Sequence, residues 1–479
     1  MSYDLLIIGG GINGAAIARE AALLGQSVLL VERGDLAGAT SSASTKLIHG
    51  GLRYLEYYDF ALVREALIER ERLLKAAPHL IHPLLFVLPH EHALRPWWMV
   101  RIGLFLYDHL GGKISLPRSR GLGRDDAVYR APLKGNGRGF VYSDANVDDA
   151  RLVVLNARDA ADNGAEIATR TALVSARRGE TWHATLSDGR EIEARAIVNA
   201  AGPWVAEVAT LLGVDNHSKA RLIKGSHIVV PRMFTGTHAY ILQQPDRRIV
   251  FAIPYQGKFT LIGTTDIAVS APDEAHVDEA ETDYLIDCVN RHFTAQIGRA
   301  DVVWSYSGIR SLYDDGASES RQVTRDYVLE LDREAAPLLS VFGGKITTAR
   351  HLAQEAMEKL AEPMGFAARP VTVARIFPGG ELASFEHFLA AVRTRWPFLE
   401  RGQSYRLASA YGSMLEAMIG DATDMGEDFG GGLGSREVDW LVTREWARTA
   451  EDILWRRTKL GLAGQVDAAR LEDYLARRQ

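Results

Sequence analysis

The chain opens with an unbroken apolar run, Leu5-Leu6-Ile7-Ile8, that stops at Gly9. A short run with no polar interruption is the pattern of a parallel strand buried on both faces. Residues 15–24 are strong helix formers ending at Gly25, and a second apolar run over 27–31 ends in Glu32. The order is strand, glycine turn, helix, strand, acid. Hydroxyl residues crowd 39–46, and Gly50-Gly51 follow. Helical spacing predicts an amphipathic helix over 62–75. Residues 78–144, rich in Pro and Gly, read as an irregular insertion packed over this first unit. A helix is predicted over 151–163, capped by Asp148 or Asp149.

Further on, 165–168 and 173–176 alternate before a turn at Ser187-Asp188-Gly189-Arg190, as in a small β meander. The apolar strand 196–200 then runs into Ala201-Gly202-Pro203. Strand patterns dominate 220–300 and predict an antiparallel sheet. Segment 304–310 and the buried strand 338–342 return the chain to the first unit. The strand 338–342 meets Gly343-Gly344-Lys345 and a helix over 349–360. Residues 370–479 have helical spacing throughout. The expected domains are therefore three: 1–75, 145–220 and 301–365 as one discontinuous unit, 76–144 and 221–300 as a cap, and 370–479 as a helical unit.

At 479 residues the chain exceeds what one core supports. A net charge of −6 excludes a nucleic-acid binder that works mainly through phosphate contacts. The one cysteine, Cys288, excludes internal disulfides and cysteine-rich metal sites, so no metal is expected. The first residues enter a strand with no secretion-signal pattern, and no run of about 20 uncharged apolar residues suggests a spanning helix. The nearest approach, 97–107, holds two tryptophans and Arg101. It reads either as a core helix or as a helix lying on a membrane, with Arg95 and Arg101 near headgroups.

The chemistry begins at Gly9-Gly10-Gly11-Ile12-Asn13-Gly14. Gly9 permits the tight turn, Gly11 lets backbone approach a pyrophosphate, and Gly14 lets helix and strand close up. Glu32 accepts ribose hydroxyls and repels a 2′-phosphate. These residues alone leave NAD and FAD open, and the N-terminal position favours FAD. The hydroxyl loop suits a pyrophosphate or ribityl chain, and the start at 343–347 suits an anion or a flavin carbonyl. No H-E-x-x-H, P-loop or G-x-S-x-G is present. Arg53, Lys224, His227, Arg310, Arg325 and Lys345 together suggest a pocket for an anionic substrate.

Nearly the whole chain resembles the FAD-dependent, quinone-linked glycerol-3-phosphate dehydrogenases. The resemblance rests on 7–14, 39–44, Lys46-Leu47-Ile48-His49-Gly50-Gly51-Leu52-Arg53-Tyr54-Leu55-Glu56, 224–231, 262–266, 324–327, 342–345 and Leu454-Trp455-Arg456-Arg457-Thr458-Lys459. It implies an α/β fold: a Rossmann-like FAD-binding domain of the D-amino-acid-oxidase type, an antiparallel-sheet substrate domain and a helical C-terminal domain. It further implies non-covalent FAD, oxidation of glycerol 3-phosphate, electrons passed to a membrane quinone, a homodimer, and a peripheral place on the inner face of the cell membrane.

Carried over by motif, Arg53, Tyr54, His227, Arg310, Arg325 and Lys345 line the substrate pocket, with His227 the first choice of base and His49 the second. Around the cofactor the expected residues are Gly9, Gly11, Ile12, Asn13, Gly14 and Glu32. Thr40, Ser41, Ser42, Lys46, Leu47, His49, Val174, Ala201 and Gly202 are expected there too, and so are Gly343, Gly344, Lys345 and Thr347. One departure is Ser311, where the family usually has proline, and it bears on the aim of Arg310. The rival readings are an O2-using glycerol-3-phosphate oxidase, an amine or amino-acid oxidase of the same fold, and a non-catalytic flavin-binding protein.

Overall fold

In a computed structural model, residues 1–91, 95–135, 137–214, 220–313 and 326–478 are described. Two sheets carry the site. In the first, the strands Ser2–Ile8, Val28–Glu32, Glu166–Thr169, Glu191–Asn199 and Leu338–Phe342 run parallel, and Val328–Asp332 adds an antiparallel edge. Alternation explains the unbroken apolar runs. Leu5 and Ile7 face the helices Ile12–Leu23, Asp149–Asp162 and Ala349–Met364. Leu6 and Ile8 face the other way, toward Trp182, Ala184 and Leu186. Both faces are dry, as a parallel sheet requires.

The second sheet is mixed, with the order Ile267–Val269, Ala220–Pro231, Phe259–Gly263, Ile249–Tyr255, Ala239–Gln243, Ile81–Pro89, Gly139–Val147, Leu47–Ile48. One face packs on the helices Phe60–Ala76 and Trp97–Leu110, and the other is covered by Glu279–His292. The C-terminal helices Phe385–Arg395, Arg401–Tyr411, Ser435–Glu445 and Ala468–Ala476 enclose a separate apolar core.

Three expectations need correction. Residues 78–144 are not irregular. Ile81–Pro89 and Gly139–Val147 pair along their whole length, because their apolar positions alternate against each other despite Pro83 and Pro89. Segment Trp304–Tyr313 does not join the first sheet: it pairs residue by residue with Ala220–Pro231 in the second. Strand Glu166–Thr169 is a parallel member of the first sheet rather than part of a meander, and only Leu173–Arg178 and Trp182–Leu186 form the hairpin. The helix at Asp149 is capped by Asp148, whose carboxylate accepts the Arg151 N–H at 3.1 Å. Asp149 is left for another role.

Candidate active site

A cavity of about 1010 Å³ runs between the two sheets. That is the upper range for small-ligand sites and suits a dinucleotide with a substrate beside it. At one end lies the first glycine turn. Gly9 has φ +111°, and a Cβ there would meet the Ala200 carbonyl. A Cβ on Gly14 would run into the Gly9 carbonyl oxygen. Gly14 therefore shapes the turn from behind and does not line the cavity, whereas Gly9, Gly11, Ile12 and Asn13 do. Glu32 lies at the mouth, its carboxylate accepting the Gly10 N–H at 2.7 Å and the Gly34 N–H at 2.8 Å.

The hydroxyl loop crosses beneath. Ser41 Oγ accepts the Ile12 N–H at 2.9 Å, and Thr40 donates to the Ile309 carbonyl at 2.6 Å. Thr40, Ser41 and Leu47 line the cavity, but Ser42 and Lys46 do not. The Lys46 ammonium turns into the protein and binds both Asp149 oxygens at 2.9 Å and the Ser42 carbonyl at 2.9 Å. It holds the loop rather than touching a ligand.

The second glycine turn meets the first. Asn13 Nδ2 donates to the Gly343 carbonyl at 3.0 Å, and a Cβ on Gly344 would strike the Asn13 side chain. Asn13 Oδ1 is buried and without a hydrogen-bond partner, a polar atom facing the cavity wall. Ala201, Gly202, Gly343, Gly344, Lys345 and Thr347 all line the cavity. Val174 does not: strand alternation turns it outward, 52% exposed, while its neighbour Leu173 faces in.

At the other end the second sheet supplies cations and imidazoles. His227 is flanked across the strands by Gly263 and Tyr306. Its ring stacks on Tyr306 at 4.9 Å, and a Cβ on Gly263 would occupy the ring's place. Thr45 Oγ1 lies 2.9 Å from its Nε2, and its Nδ1 is buried without a partner. Burial, then the cations Lys46 and Arg310, push the imidazole down to about 3. It is neutral at physiological pH and free to accept a proton. His49 is held by Gly51, whose N–H donates to Nδ1 at 3.2 Å, and burial lowers it too.

Arg310 also lines the cavity, its Nη2 donating to the Thr265 carbonyl at 3.3 Å and its Nη1 3.7 Å from Asp266. The register pairs Gly225 with Gly308, and a Cβ at Gly225 would strike the Arg310 guanidinium. Ser311 thus leaves Arg310 aimed inward, since the strand continues through it. Lys345 Nζ sits 4.3 Å over the Tyr54 ring, and Arg53 lines the same wall.

One of the expected cations is elsewhere. Strand alternation sends Lys224 to the far face, where it binds Glu281 at 2.8 Å. Arg325 lies outside the described residues.

Thr45, Gly225, Gly263 and Gly308 were not anticipated from sequence. A glycine inside a strand pattern marks a close approach, and three of the four carried that signal.

A donor turn with a glycine facing the ligand, a carboxylate at its mouth, an orphaned amide oxygen and a dinucleotide-sized cavity fit FAD. A family model described as "FAD dependent oxidoreductase" matches residues 4–393. A glycerol-3-phosphate dehydrogenase of Pseudomonas aeruginosa is 52% identical, over 99% of this chain and 95% of its own. A D-erythritol 1-phosphate dehydrogenase of Brucella abortus is 50% identical, over 95% and 94%. The crystal structure of the glycerol-3-phosphate dehydrogenase of Bacillus halodurans complexed with FAD superposes with a TM-score of 0.75 at 26% identity, covering 95% of this chain and 86% of that one. The chain belongs to the FAD-dependent oxidoreductase family, on the branch that holds these polyol-phosphate dehydrogenases.

Proposed function

We propose that the chain is an FAD-dependent glycerol-3-phosphate dehydrogenase that passes its electrons to a membrane quinone. The observation that carries this reading is the meeting, in one cavity, of an ADP-type glycine turn with a wall of Arg53, Arg310, Lys345 and two neutral histidines. Gly9, Gly11, Ser41, Gly343 and Gly344 would hold FAD, which would supply the acceptor for the hydride on C2 of the substrate. The rest falls to the protein. Arg310, Arg53 and Lys345 hold the phosphate and favour the developing alkoxide. His227 takes the O2 proton; burial is the main cause of its weakness as a base, and an anion between it and Arg310 offsets the smaller, cationic part. Tyr306 and Gly263 fix its ring. Gly14, Lys46 and Ser42 act from behind the wall.

His227→Ala is expected to slow flavin reduction by about a hundredfold or more while leaving reoxidation by a soluble quinone near the wild-type rate. Equal slowing of both half-reactions removes His227 as the base. The Brucella relative supports a second substrate, D-erythritol 1-phosphate. Comparing kcat/KM for the two phosphates separates them.

For quinone delivery the supporting feature is the helix Trp97–Leu110. Leu104 and Tyr107 are buried, while Trp98, Met99, Ile102 and Phe105 stand exposed beside Arg101. Tyr57, Tyr58 and Phe60 extend the patch. Among the described residues, no helix is long and apolar enough to cross a membrane. This face lies on an anionic bilayer at the inner surface of the cell membrane, in a homodimer.

A further inference from the structure

The segment Leu454-Trp455-Arg456-Arg457-Thr458-Lys459 lies in the C-terminal helical unit, yet two of its side chains reach the loop that follows Glu32. Asp452–Arg457 is a π-helical turn, a form rare enough to mark function. It brings two adjacent arginines onto one carboxylate. Arg456 Nε donates to Asp35 at 2.6 Å, and Arg457 donates to the two Asp35 oxygens at 2.8 and 2.7 Å. Asp35 closes the loop that follows Glu32. From that loop, Ala37 N–H donates to the Gly10 carbonyl at 3.0 Å, inside the glycine turn.

The opposite rim is tied to the same place. Asp452 accepts from Arg456 and from Arg170, each at 2.5 Å. Arg170 N–H in turn donates to the Gly34 carbonyl, and Thr171 N–H to the Glu32 carbonyl, each at 2.8 Å. Burial alone would raise Asp452, but the Arg448 N–H and the Arg456 and Arg170 cations outweigh it and hold it at about 2, so the hub stays ionised. Glu451 and Arg456 themselves line this end of the cavity. Trp455 packs on Trp304 at 4.9 Å, which sets the turn against the second sheet as well.

We infer that residues 451–457 are a cofactor-retaining clamp, in which Arg456 and Arg457 are positioning residues that act through Asp35 on the loop holding the adenosine end of FAD. The clamp rests on FAD as the cofactor, not on the choice of substrate. It places a cofactor-binding duty on the C-terminal unit, whose own core is otherwise separate from the cavity. Removing it leaves the 32–38 loop to be ordered by FAD at binding, and that ordering subtracts from affinity.

The test compares Arg456→Gln, Arg457→Gln and the exposed control Arg395→Gln, each stripped of flavin and titrated with FAD. The two clamp variants are expected to bind FAD about tenfold more weakly or worse. They should also show a smaller FAD-induced rise in Tm, with an apoprotein Tm near that of the wild type and an unchanged KM for substrate at saturating FAD. A role in folding alone lowers apo and holo Tm together and leaves the increment intact, which overturns the clamp. So does wild-type FAD affinity in the clamp variants. Arg457 is fully buried, and if its variant does not fold, the partly buried Arg456 decides. A wild-type apoprotein that binds no FAD would instead remove the cofactor on which the clamp rests.

Discussion

Gly263 shows how much of this site is decided by single atoms. It sits across from His227, and the imidazole occupies the volume that any β-carbon there would take. Gly263→Ala therefore displaces the ring and is expected to lower the rate of flavin reduction by about tenfold or more, a smaller loss in the same half-reaction as His227→Ala if His227 is the base. Stopped-flow reduction under anaerobic conditions reads it. A Gly263→Ala enzyme with wild-type reduction would mean the ring's position is not critical. Gly225 and Gly308 do the same for Arg310 and for the loop at Ala43. The sequence carried His227 and Arg310 by motif, but not the empty space that aims them. That space depends on which residues face each other across strands, and register is a tertiary fact. The same limit misplaced Lys224 and Val174: each is one position from a residue that lines the cavity, and alternation sends them to the other face.

Elements were legible where the pattern was local. The strand, turn, helix and acid of residues 5–32 could be read because propensity, glycine spacing and period all agree. Strand Val28–Glu32 falls where the pattern puts it, and the helix Ile12–Leu23 covers the expected 15–24 stretch to within one residue but starts three residues earlier, inside the glycine turn. Segment 304–310 reads as a return to the first unit yet pairs in the second sheet, since a strand's own sequence does not name its partner. Residues 78–144 were read as irregular because Pro83 and Pro89 mask the alternation of a strand, and here the long pairing with Gly139–Val147 overrides the local signal.

The helix Trp97–Leu110 carries its own prediction. Its exposed residues have no partner within the described chain's core, and each is worth about 1.5–3 kcal/mol on burial. Replacing Trp98 and Phe105 by Ser should weaken binding to anionic vesicles by about a hundredfold or more, with activity toward a soluble acceptor retained. Unchanged vesicle flotation would remove this helix as a membrane-binding face.

At the scale of the whole molecule, stability is tied to pH through buried imidazoles. Burial, ahead of nearby charges, holds His79 and His227 down to about 3 and His238 down to about 4, and burial holds His82 at about 4 against the pull of Glu386. Their folded values lie below the ordinary 6.5, so the unfolded chain binds more protons between these limits. The stabilisation is fully present above about pH 6.5 and is lost as pH falls toward 4. Glu65, raised by burial to about 7, works the other way between its ordinary value and 7, and so does Glu20, which burial also raises, two groups against the four imidazoles. Tm is therefore expected to fall steadily from pH 6.5 to pH 4, and a flat profile would contradict the burial of these rings.

The two sheets, the clamp and the cationic wall converge on one event, transfer of a hydride from a phosphorylated polyol to a bound flavin. Anaerobic addition of glycerol 3-phosphate to the purified yellow protein measures it directly. The account predicts that the flavin absorbance near 450 nm bleaches and that one equivalent of dihydroxyacetone phosphate forms per flavin. A flavin-loaded protein whose spectrum does not change with glycerol 3-phosphate would contradict it.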